Sequence, residues 1–229
     1  MTSKPRSGRP GRGRSFPVSP TLRQPAKDLG PRATRTMAQI LAATKSIFLT
    51  HGYAGTTIDE IARVAGISRA SFYTYFPSKR DVLLALGAES AHAGHVIVDY
   101  LKELNRPITD TAIEDFVRKA FAVYDEQASF CFAWTQAAHQ DEEIRMAGMK
   151  GHLHVCAALG RALGDLRGEP FEQPAAQGLA LFSQLERSWS YCRLYADPTL
   201  QSAVERAVAH NLGDILHSAS REPVDRKAS

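Results

Sequence analysis

The chain has 229 residues, of which 44% are hydrophobic and 23% are charged, and its formal net charge is +4. This composition is ordinary for a globular protein of one or two domains that can bury a substantial core. No run of 18 or more apolar residues is present, and no apolar segment follows the basic N-terminus, so we expect neither a membrane span nor a secretory signal. The three cysteines, Cys131, Cys156 and Cys192, match no disulfide framework or zinc-binding spacing, which predicts a reducing, cytoplasmic location.

The positive charge is concentrated at the N-terminus. Residues 1–35 contain nine basic residues and one acid, whereas the remaining 194 residues carry a net charge of −4. Residues 1–30 are rich in Pro, Gly, Ser and Arg and have few large hydrophobic side chains, which predicts a basic arm that is disordered in the free protein. Such an arm suits contact with a polyanion, for example in a DNA minor groove, but it could equally remain a solvated tail.

The pattern becomes helical after the arm. Large side chains recur at steps of three and four residues over 37–48, which predicts a helix that ends at Gly52. Thr57 and Glu60 then form a capping box for a short second helix. Gly66 permits the tight turn that ends this helix.

The next predicted helix is short and has two chemically different faces. Ser68 is positioned to cap its start and Pro77 to end it, while Phe72 and Phe76 predict its buried face. The remaining side chains are small, basic or hydroxyl-bearing: Arg69, Ala70, Ser71, Tyr73, Thr74 and Tyr75. A helix-turn-helix with this outer surface can enter the DNA major groove, whereas a merely solvated helix rarely exposes two tyrosines so close together.

The segment TTIDEIARVAGISRASFYTYFPSKRDVL resembles the DNA-binding signature of the TetR (tetracycline repressor) family. The resemblance extends from Arg32 to Leu86, so it includes the first helix. It differs at Ala70-Ser71, where the family often has Gly-Thr. Ser71 lacks the methyl group that can contact thymine, so the resemblance leaves the operator sequence open.

The resemblance implies an all-α fold in which a three-helix DNA-binding domain precedes a helical ligand-binding and dimerisation domain. We predict a basic arm at 1–30, the DNA-binding domain at 31–77, the second domain at 78–218 and a flexible tail at 219–229. Arg69 and Ser71 would contact base edges, and phosphates would be bound near the helix starts at Thr57 and Lys79. The predicted DNA-binding residues are Arg32, Arg35, Thr57, Ser68, Arg69, Ala70, Ser71, Tyr73, Thr74, Tyr75 and Lys79.

The chain beyond Leu86 is also expected to be helical, with helices near 113–124, 141–166, 173–195 and 198–217. The aromatic residues of 129–139 alternate as in a strand, but no partner strand is apparent, so a helix is predicted there too. Most aromatic residues of this region are expected to form core. The family resemblance implies that some line an effector pocket, and the candidates are Phe116, Phe121, Tyr124, Phe130, Phe132, Trp134, Met146, Met149 and Trp189.

These features predict a homodimeric transcriptional regulator, a repressor of a palindromic double-stranded DNA operator that a small apolar or aromatic effector releases. The resemblance implies dimerisation through the last two long helices, and the helix that begins at Ser78 would couple the two domains. No catalytic motif or metal-ligand set is recognisable, so we predict no enzyme activity, cofactor or metal. Two alternatives stay open: a helical small-molecule enzyme or carrier with a vestigial helix-turn-helix, and a ligand-independent regulator or an activator.

Overall fold

The structure, a computed structural model, describes residues 30–218, and within them the chain forms eight α-helices and no strand. The helices are α1 (Pro31–Gly55), α2 (Ile58–Val64), α3 (Arg69–Tyr75), α4 (Lys79–Lys102), α5 (Asp110–Gln140), α6 (Glu142–Arg167), α7 (Pro174–Tyr195) and α8 (Pro198–His217). The predicted all-α fold is therefore confirmed. The predicted arm, apart from Gly30, and the predicted tail lie outside the described residues. Within that range, no helix is both long enough and apolar enough to cross a membrane.

Side-chain caps start α2, α3 and α4, as the sequence predicts. The hydroxyls of Thr57, Ser68 and Ser78 each accept a hydrogen bond from the backbone N–H three residues further on, at 3.2, 3.0 and 3.3 Å. A cap of this kind stabilises a helix by about 1 kcal/mol. This matters most for α2 and α3, because a helix of seven residues is too short to be stable alone.

Two glycines with positive φ shape the N-terminal part. Gly52 has a φ of 65° and interrupts α1, so the regular part of this helix ends where the sequence predicts and a short last turn reaches Gly55. Gly66 has a φ of 68° in the turn between α2 and α3. A residue with a Cβ atom would be strained at either position. Glycine adopts this conformation without strain, so the helix can end there.

The first hydrophobic cluster joins α1, α2, α3 and the start of α4. Its fully buried side chains are Ile40, Ile47, Ile61, Ala62, Phe72, Phe76 and Val82. Because Val82 belongs to α4, the core of the N-terminal part continues past the predicted boundary at residue 77. That boundary stays a prediction, but the packing shows that α4 contributes to both parts of the molecule.

The largest cluster fills the space between α4, α5, α6, α7 and α8. Helix α5 is central to it and buries ten of its residues, including the predicted stripe of Phe116, Phe121 and Tyr124. The aromatic run of 129–139 lies in the last third of the same helix, so the helical prediction is confirmed there. The predicted helices of the C-terminal half likewise match α6, α7 and α8 to within a residue or two.

Helices α6 and α7 pack closely because glycines meet at their crossing. A Cβ atom on Gly160 would lie 1.8 Å from the carbonyl oxygen of Pro174, and one on Gly178 would lie 1.7 Å from the carbonyl oxygen of Cys156. No side chain fits at such distances. The two backbones are therefore in direct contact, which fixes how α7 lies across the core.

Candidate nucleic-acid interface and effector region

The geometry of α3 exposes most of its side chains. Phe72 is fully buried and anchors the helix against α1 and α2, while Phe76, its C-cap residue, packs in the same cluster. Ala70, Tyr73 and Thr74 are exposed on the opposite side, and Tyr73 keeps 44% of its surface accessible. This arrangement leaves a row of small and hydroxyl-bearing groups available to the edges of DNA bases and to phosphates.

Arg69 begins this exposed row and is held by α2. Its guanidinium forms an ion pair with Asp59 at 2.5 Å and donates a hydrogen bond to the Tyr73 hydroxyl at 3.2 Å. Both side chains of the ion pair are more than half exposed, so the pair contributes little to stability. Its effect is orientational, because it fixes the Arg69 side chain beside Tyr73 in the absence of DNA.

Other predicted DNA-binding residues have mixed surroundings. Arg32 and Arg35 are exposed on the first turns of α1, and Thr57 and Ser68 are exposed where their hydroxyls cap α2 and α3. Ser71 and Tyr75 are only partly accessible, and Tyr75 packs against the first hydrophobic cluster. The predicted set thus lies on one short stretch of structure, with Tyr75 serving the core as well.

Lys79 is bound within the protein. Its ammonium group donates hydrogen bonds to the carbonyl oxygens of Tyr53 and Thr56, at 2.5 and 2.7 Å, and lies 4.4 Å from the centre of the Tyr53 ring. Burial lowers the pKa of Lys79. Its predicted phosphate contact is untested, but the geometry gives it a structural task, which is to satisfy carbonyl groups around the end of α1.

Comparison with known proteins agrees with this geometry. The family model described as "Bacterial regulatory proteins, tetR family" matches residues 40–86. The HTH-type transcriptional regulator EthR of Mycolicibacterium smegmatis is 49% identical over 49 residues, which is 21% of this chain and 23% of that protein. Residues 40–86, which include the helix-turn-helix, are thus similar to the tetR family of bacterial regulatory proteins. The matched segments span between 23% and 50% of the length of the first three curated relatives, so the likeness to these relatives concerns this part of the chain.

Solved structures extend the likeness to the whole fold. The fatty acid degradation regulator FadR from Bacillus halodurans has a TM-score of 0.62 at 21% identity and covers 81% of this chain and 96% of its own. The transcriptional regulator FadR from Bacillus subtilis, in complex with stearoyl-CoA, has a TM-score of 0.59 at 18% identity and covers 76% and 96%. At such identities the likeness concerns the fold alone.

The predicted effector residues fall into three environments. Phe116, Phe121, Tyr124 and Trp189 are fully buried in the largest cluster. The Tyr124 ring contacts that of Trp189, with centroids 5.6 Å apart, and both rings lie between α5 and α7. The structure therefore brings this group together, as closely packed core.

The other five candidates lie further out. Phe130 and Trp134 are half-buried and in mutual contact at 5.6 Å, where they pack against the cluster that joins α1, α4, α5 and α6. Phe132 stacks on Trp189 at 5.7 Å but is 43% exposed. Met146 and Met149 are exposed on α6. The nine candidates thus do not surround one common space.

A groove of about 680 Å³ lies between α4 and α5. None of the nine predicted effector residues lines it. Its walls are formed by Ala88, Glu89, His92, Ala93, Val96, Tyr100, Lys119, Ala122, Val123, Glu126 and Gln127. No local pattern in the sequence indicates this groove, because its lining comes from two helices that are paired only in the folded protein.

Sequence reasoning also missed a polar network beside the aromatic core. Asp125 accepts a hydrogen bond from the Trp189 indole at 2.9 Å and forms an ion pair with Arg193 at 2.5 Å. Burial opposes ionisation of Asp125, but the bonds from Arg193 and Trp189 outweigh it and lower its pKa. These partners are more than 60 residues apart along the chain, so no local spacing could have indicated the network. Between residues 30 and 218, no group of three or more His, Cys, Asp or Glu residues could hold a metal ion.

Proposed function

We propose that this protein is a homodimeric transcriptional repressor that binds a palindromic DNA operator and releases it when a small molecule binds. The proposal of DNA binding rests on the exposed face of α3. Arg69, Ala70, Tyr73 and Thr74 lie together there, beside a side-chain cap. The match of residues 40–86 to the tetR family model supports the same reading of this face. A recognition helix of this kind lies in the major groove with its N-terminal residues against base edges.

Dimerisation is proposed through α7 and α8. Helix α7 exposes several large apolar side chains near its end, among them Tyr191, Leu194 and Tyr195, and Leu194 is 71% exposed. The Tyr191 and Tyr195 rings stack on one another at 5.6 Å, which makes a flat apolar surface. Two copies joined there would present two α3 helices, which must lie about 34 Å apart to enter successive major grooves.

The small-molecule half of the proposal draws on the aromatic cluster around Tyr124 and Trp189. The FadR regulator of Bacillus subtilis, which has the same fold, was solved with stearoyl-CoA bound. An apolar or aromatic effector is therefore proposed here, bound between α5 and α7. Such a molecule can release DNA only if it binds better to a conformer whose recognition helices no longer match the operator.

The proposed route of coupling runs through the corner between α5 and α6. Arg80, in the first turn of α4, pairs with Asp141 at 2.5 Å and also with Glu143. The side-chain oxygen of Gln136, near the end of α5, accepts a hydrogen bond from the backbone N–H of Ala54 at 2.9 Å. A shift of this corner would therefore move α1 and α4 together, and with them α3.

The N-terminal arm is proposed to strengthen DNA binding through its charge. Counterion release makes the logarithm of the affinity fall linearly with the logarithm of the salt concentration, with a slope that grows with the number of neutralised phosphates. Deleting residues 1–30 should therefore weaken DNA binding and flatten this slope, with little change in melting temperature. An unchanged slope would show that the arm does not contact DNA.

The decisive experiment is a gel-shift assay with the DNA upstream of the protein's own gene, combined with Ala70→Glu. Ala70 is exposed in the first turn of α3, where an acid suits the helix dipole, so the variant should fold normally and yet lose DNA binding by charge repulsion. Ala147→Glu, on the exposed surface of α6, is the matched control and should bind like the parent. Equal binding by all three proteins would contradict the proposed recognition surface.

Two further measurements address the alternatives. Sedimentation should give a dimer for the parent protein and a monomer for Leu194→Glu, because the change puts a charge into the proposed interface. Reporter expression in the presence and absence of the gene distinguishes a repressor from an activator. A folded protein that binds no DNA at low salt would favour the helical enzyme or carrier instead.

A further inference from the structure

The hydroxyl of Tyr124 is a buried polar group without a partner. Tyr124 is only 3% exposed, and within residues 30–218 nothing forms a hydrogen bond to its oxygen. Burial raises the pKa of Tyr124 well above its usual value, and the nearby Cys131, Glu186 and Cys156 raise it further. A buried hydroxyl that makes no hydrogen bond destabilises the folded state, so such groups are rare unless they have another use.

The neighbouring indole shows that this core does not leave polar groups unpaired as a rule. Trp189 touches the Tyr124 ring and is itself fully buried, yet its N–H finds the carboxylate of Asp125. The residues described by the structure contain one other buried side-chain nitrogen or oxygen atom without a partner, Arg167 Nε. The unpaired hydroxyl is therefore specific to Tyr124.

Glu186 is the second unpaired polar group at this place. It lies on α7 four residues after Phe182 and three before Trp189, and the rings of both these residues contact the Tyr124 ring, at 5.7 and 5.6 Å. On a helix this spacing puts Glu186 on the same face, between the two rings. Glu186 is half-buried, and no hydrogen bond or ion pair to its carboxylate comes from residues 30–218.

The charge of Glu186 raises the pKa of groups around it. Burial raises the pKa of Cys131 to about 12, with a further contribution from Glu186, and burial also raises the pKa of Glu186 itself. The charge of Arg187 lowers the pKa of Glu186, but the effect of burial is larger, so the pKa stays above its usual value. A carboxylate that shares a helix face with two aromatic rings, and that forms no ion pair with residues 30–218, favours a ligand that brings a cation, because a positive charge is attracted both by the acid and by ring faces.

We propose that Tyr124 and Glu186 form the polar anchor of the effector site, and that the effector is an aromatic amine. Its ammonium group would donate hydrogen bonds to the Tyr124 hydroxyl and to the Glu186 carboxylate, while its ring packs against Trp189 and Phe182. The ligand enters by turning aside Phe182, which is half-buried and is held by ring contacts with Tyr124 and His152. The inference rests on the proposed function and specifies its apolar or aromatic effector as an aromatic cation.

The test measures binding of aromatic amines and of matched hydrocarbons to the full chain by thermal shift and calorimetry. The pairs are 2-phenylethylamine with propylbenzene and 3-phenylpropylamine with butylbenzene, in which a methyl group replaces the ammonium group. We expect the amines to raise the melting temperature more than their partners do. Tyr124→Phe and Glu186→Gln should each weaken amine binding at least tenfold and leave hydrocarbon binding unchanged.

Matched controls come from the groove between α4 and α5. Tyr100→Phe and Glu126→Gln make the same chemical changes at positions that line that groove, and they should not alter amine binding. A loss of amine binding in these controls instead would move the ligand to the groove and overturn the proposal. Amines that bind no better than hydrocarbons, or that bind equally well to Tyr124→Phe and Glu186→Gln, would overturn it as well.

Two readouts separate this inference from the proposed function. Tyr124→Phe should melt at the same temperature as the parent or above it, because the variant removes an unpaired buried hydroxyl. A clearly lower melting temperature would show that the hydroxyl is bonded in solution and would remove the basis of the inference. If operator DNA is bound and is released by the hydrocarbons but not by the amines, the proposed function stands and this inference fails. If the amines bind through Tyr124 and Glu186 but no DNA is bound, the proposed function fails.

Discussion

Helices α3 and α5 use their side chains in opposite ways. Of the seven residues of α3, only Phe72 is fully buried, and the others are wholly or partly accessible to a partner. Of the 31 residues of α5, ten are buried, and the one with an unpaired hydroxyl, Tyr124, is among them. A surface that binds DNA must be exposed before the partner arrives, whereas a site for a small molecule must be built within a core.

This contrast has a consequence for stability. Substitutions on the α3 surface should change DNA binding and leave the fold intact, because these side chains have few internal contacts. Substitutions among α5, α6 and α7 should change the fold first, because their backbones and rings are in direct contact. Substitutions at Gly178, Arg69, Lys79 and Asp141 test this division, in order of decreasing expected effect.

The largest effect is expected from Gly178→Ala at the crossing of α6 and α7. The new Cβ atom would lie 1.7 Å from a backbone carbonyl oxygen, so the helices would have to separate. We expect the free energy of unfolding to fall by about 3 kcal/mol, measured by denaturant titration. Gly151→Ala is the control: nothing lies within 4 Å of its added Cβ on α6, and stability should rise by about 0.5–1 kcal/mol. Equal effects of the two changes would show that the close contact does not exist.

Arg69→Ala tests the exposed surface of α3. If the Arg69 guanidinium contacts a base edge, as proposed, this change should cost about 1–3 kcal/mol of discrimination at one operator position. Stability should change little, since the ion pair with Asp59 is largely exposed. The measurement is a set of binding titrations with operators that carry single base-pair changes. A uniform loss over all sequences would assign Arg69 to a phosphate instead.

Lys79→Met tests whether Lys79 stabilises the fold or contacts DNA. The ammonium group donates to two carbonyl oxygens in the folded protein, and a hydrogen bond that involves a charged group contributes about 1.5–3 kcal/mol. We therefore expect the free energy of unfolding to fall by about 2 kcal/mol. Lys150→Met, on the exposed face of α6, should have no such effect. Weaker DNA binding at unchanged stability would restore the phosphate contact predicted from the sequence.

The smallest effect is expected at Asp141, which joins the two regions. Burial opposes ionisation of its carboxylate, but the backbone N–H groups of Ile144 and Glu143 and the guanidinium of Arg80 outweigh it and lower the pKa of Asp141. Because the folded-state pKa lies below the unfolded one, this contribution is present above the unfolded value of about 4 and is lost as the pH falls through the folded value. Asp141→Ala should cost about 1 kcal/mol at neutral pH through loss of the α6 cap.

Asp141→Asn isolates the charge at this position, since Asn is also a good cap. Its stability deficit relative to the parent should be present at pH 7 and should shrink as the pH falls below about 4. A deficit that is independent of pH would mean that the ion pair with Arg80 does not stabilise the folded protein in solution.

The local features of this protein follow from short stretches of its sequence. The caps at Thr57, Ser68 and Ser78, the turn at Gly66 and the exposed face of α3 were all predictable. Each depends on residues within a few positions of one another, where hydrogen-bond geometry and backbone sterics act directly. The long helices of the C-terminal half were predictable for the same reason, since their apolar side chains recur with the helical period.

Which helices touch, and which polar groups remain unpaired, depends on tertiary packing. The sequence predicted Lys79 as a phosphate ligand, a contact that stays a prediction, and the fold brings the carbonyl groups of Tyr53 and Thr56 to it. The family resemblance implied that some of nine residues line an effector pocket, and the fold packs some of them as core and exposes others. The unpaired Tyr124 hydroxyl and the carboxylate of Glu186 lie on different helices. Their proximity depends on how α5 and α7 pack, and no periodicity within one segment encodes that arrangement.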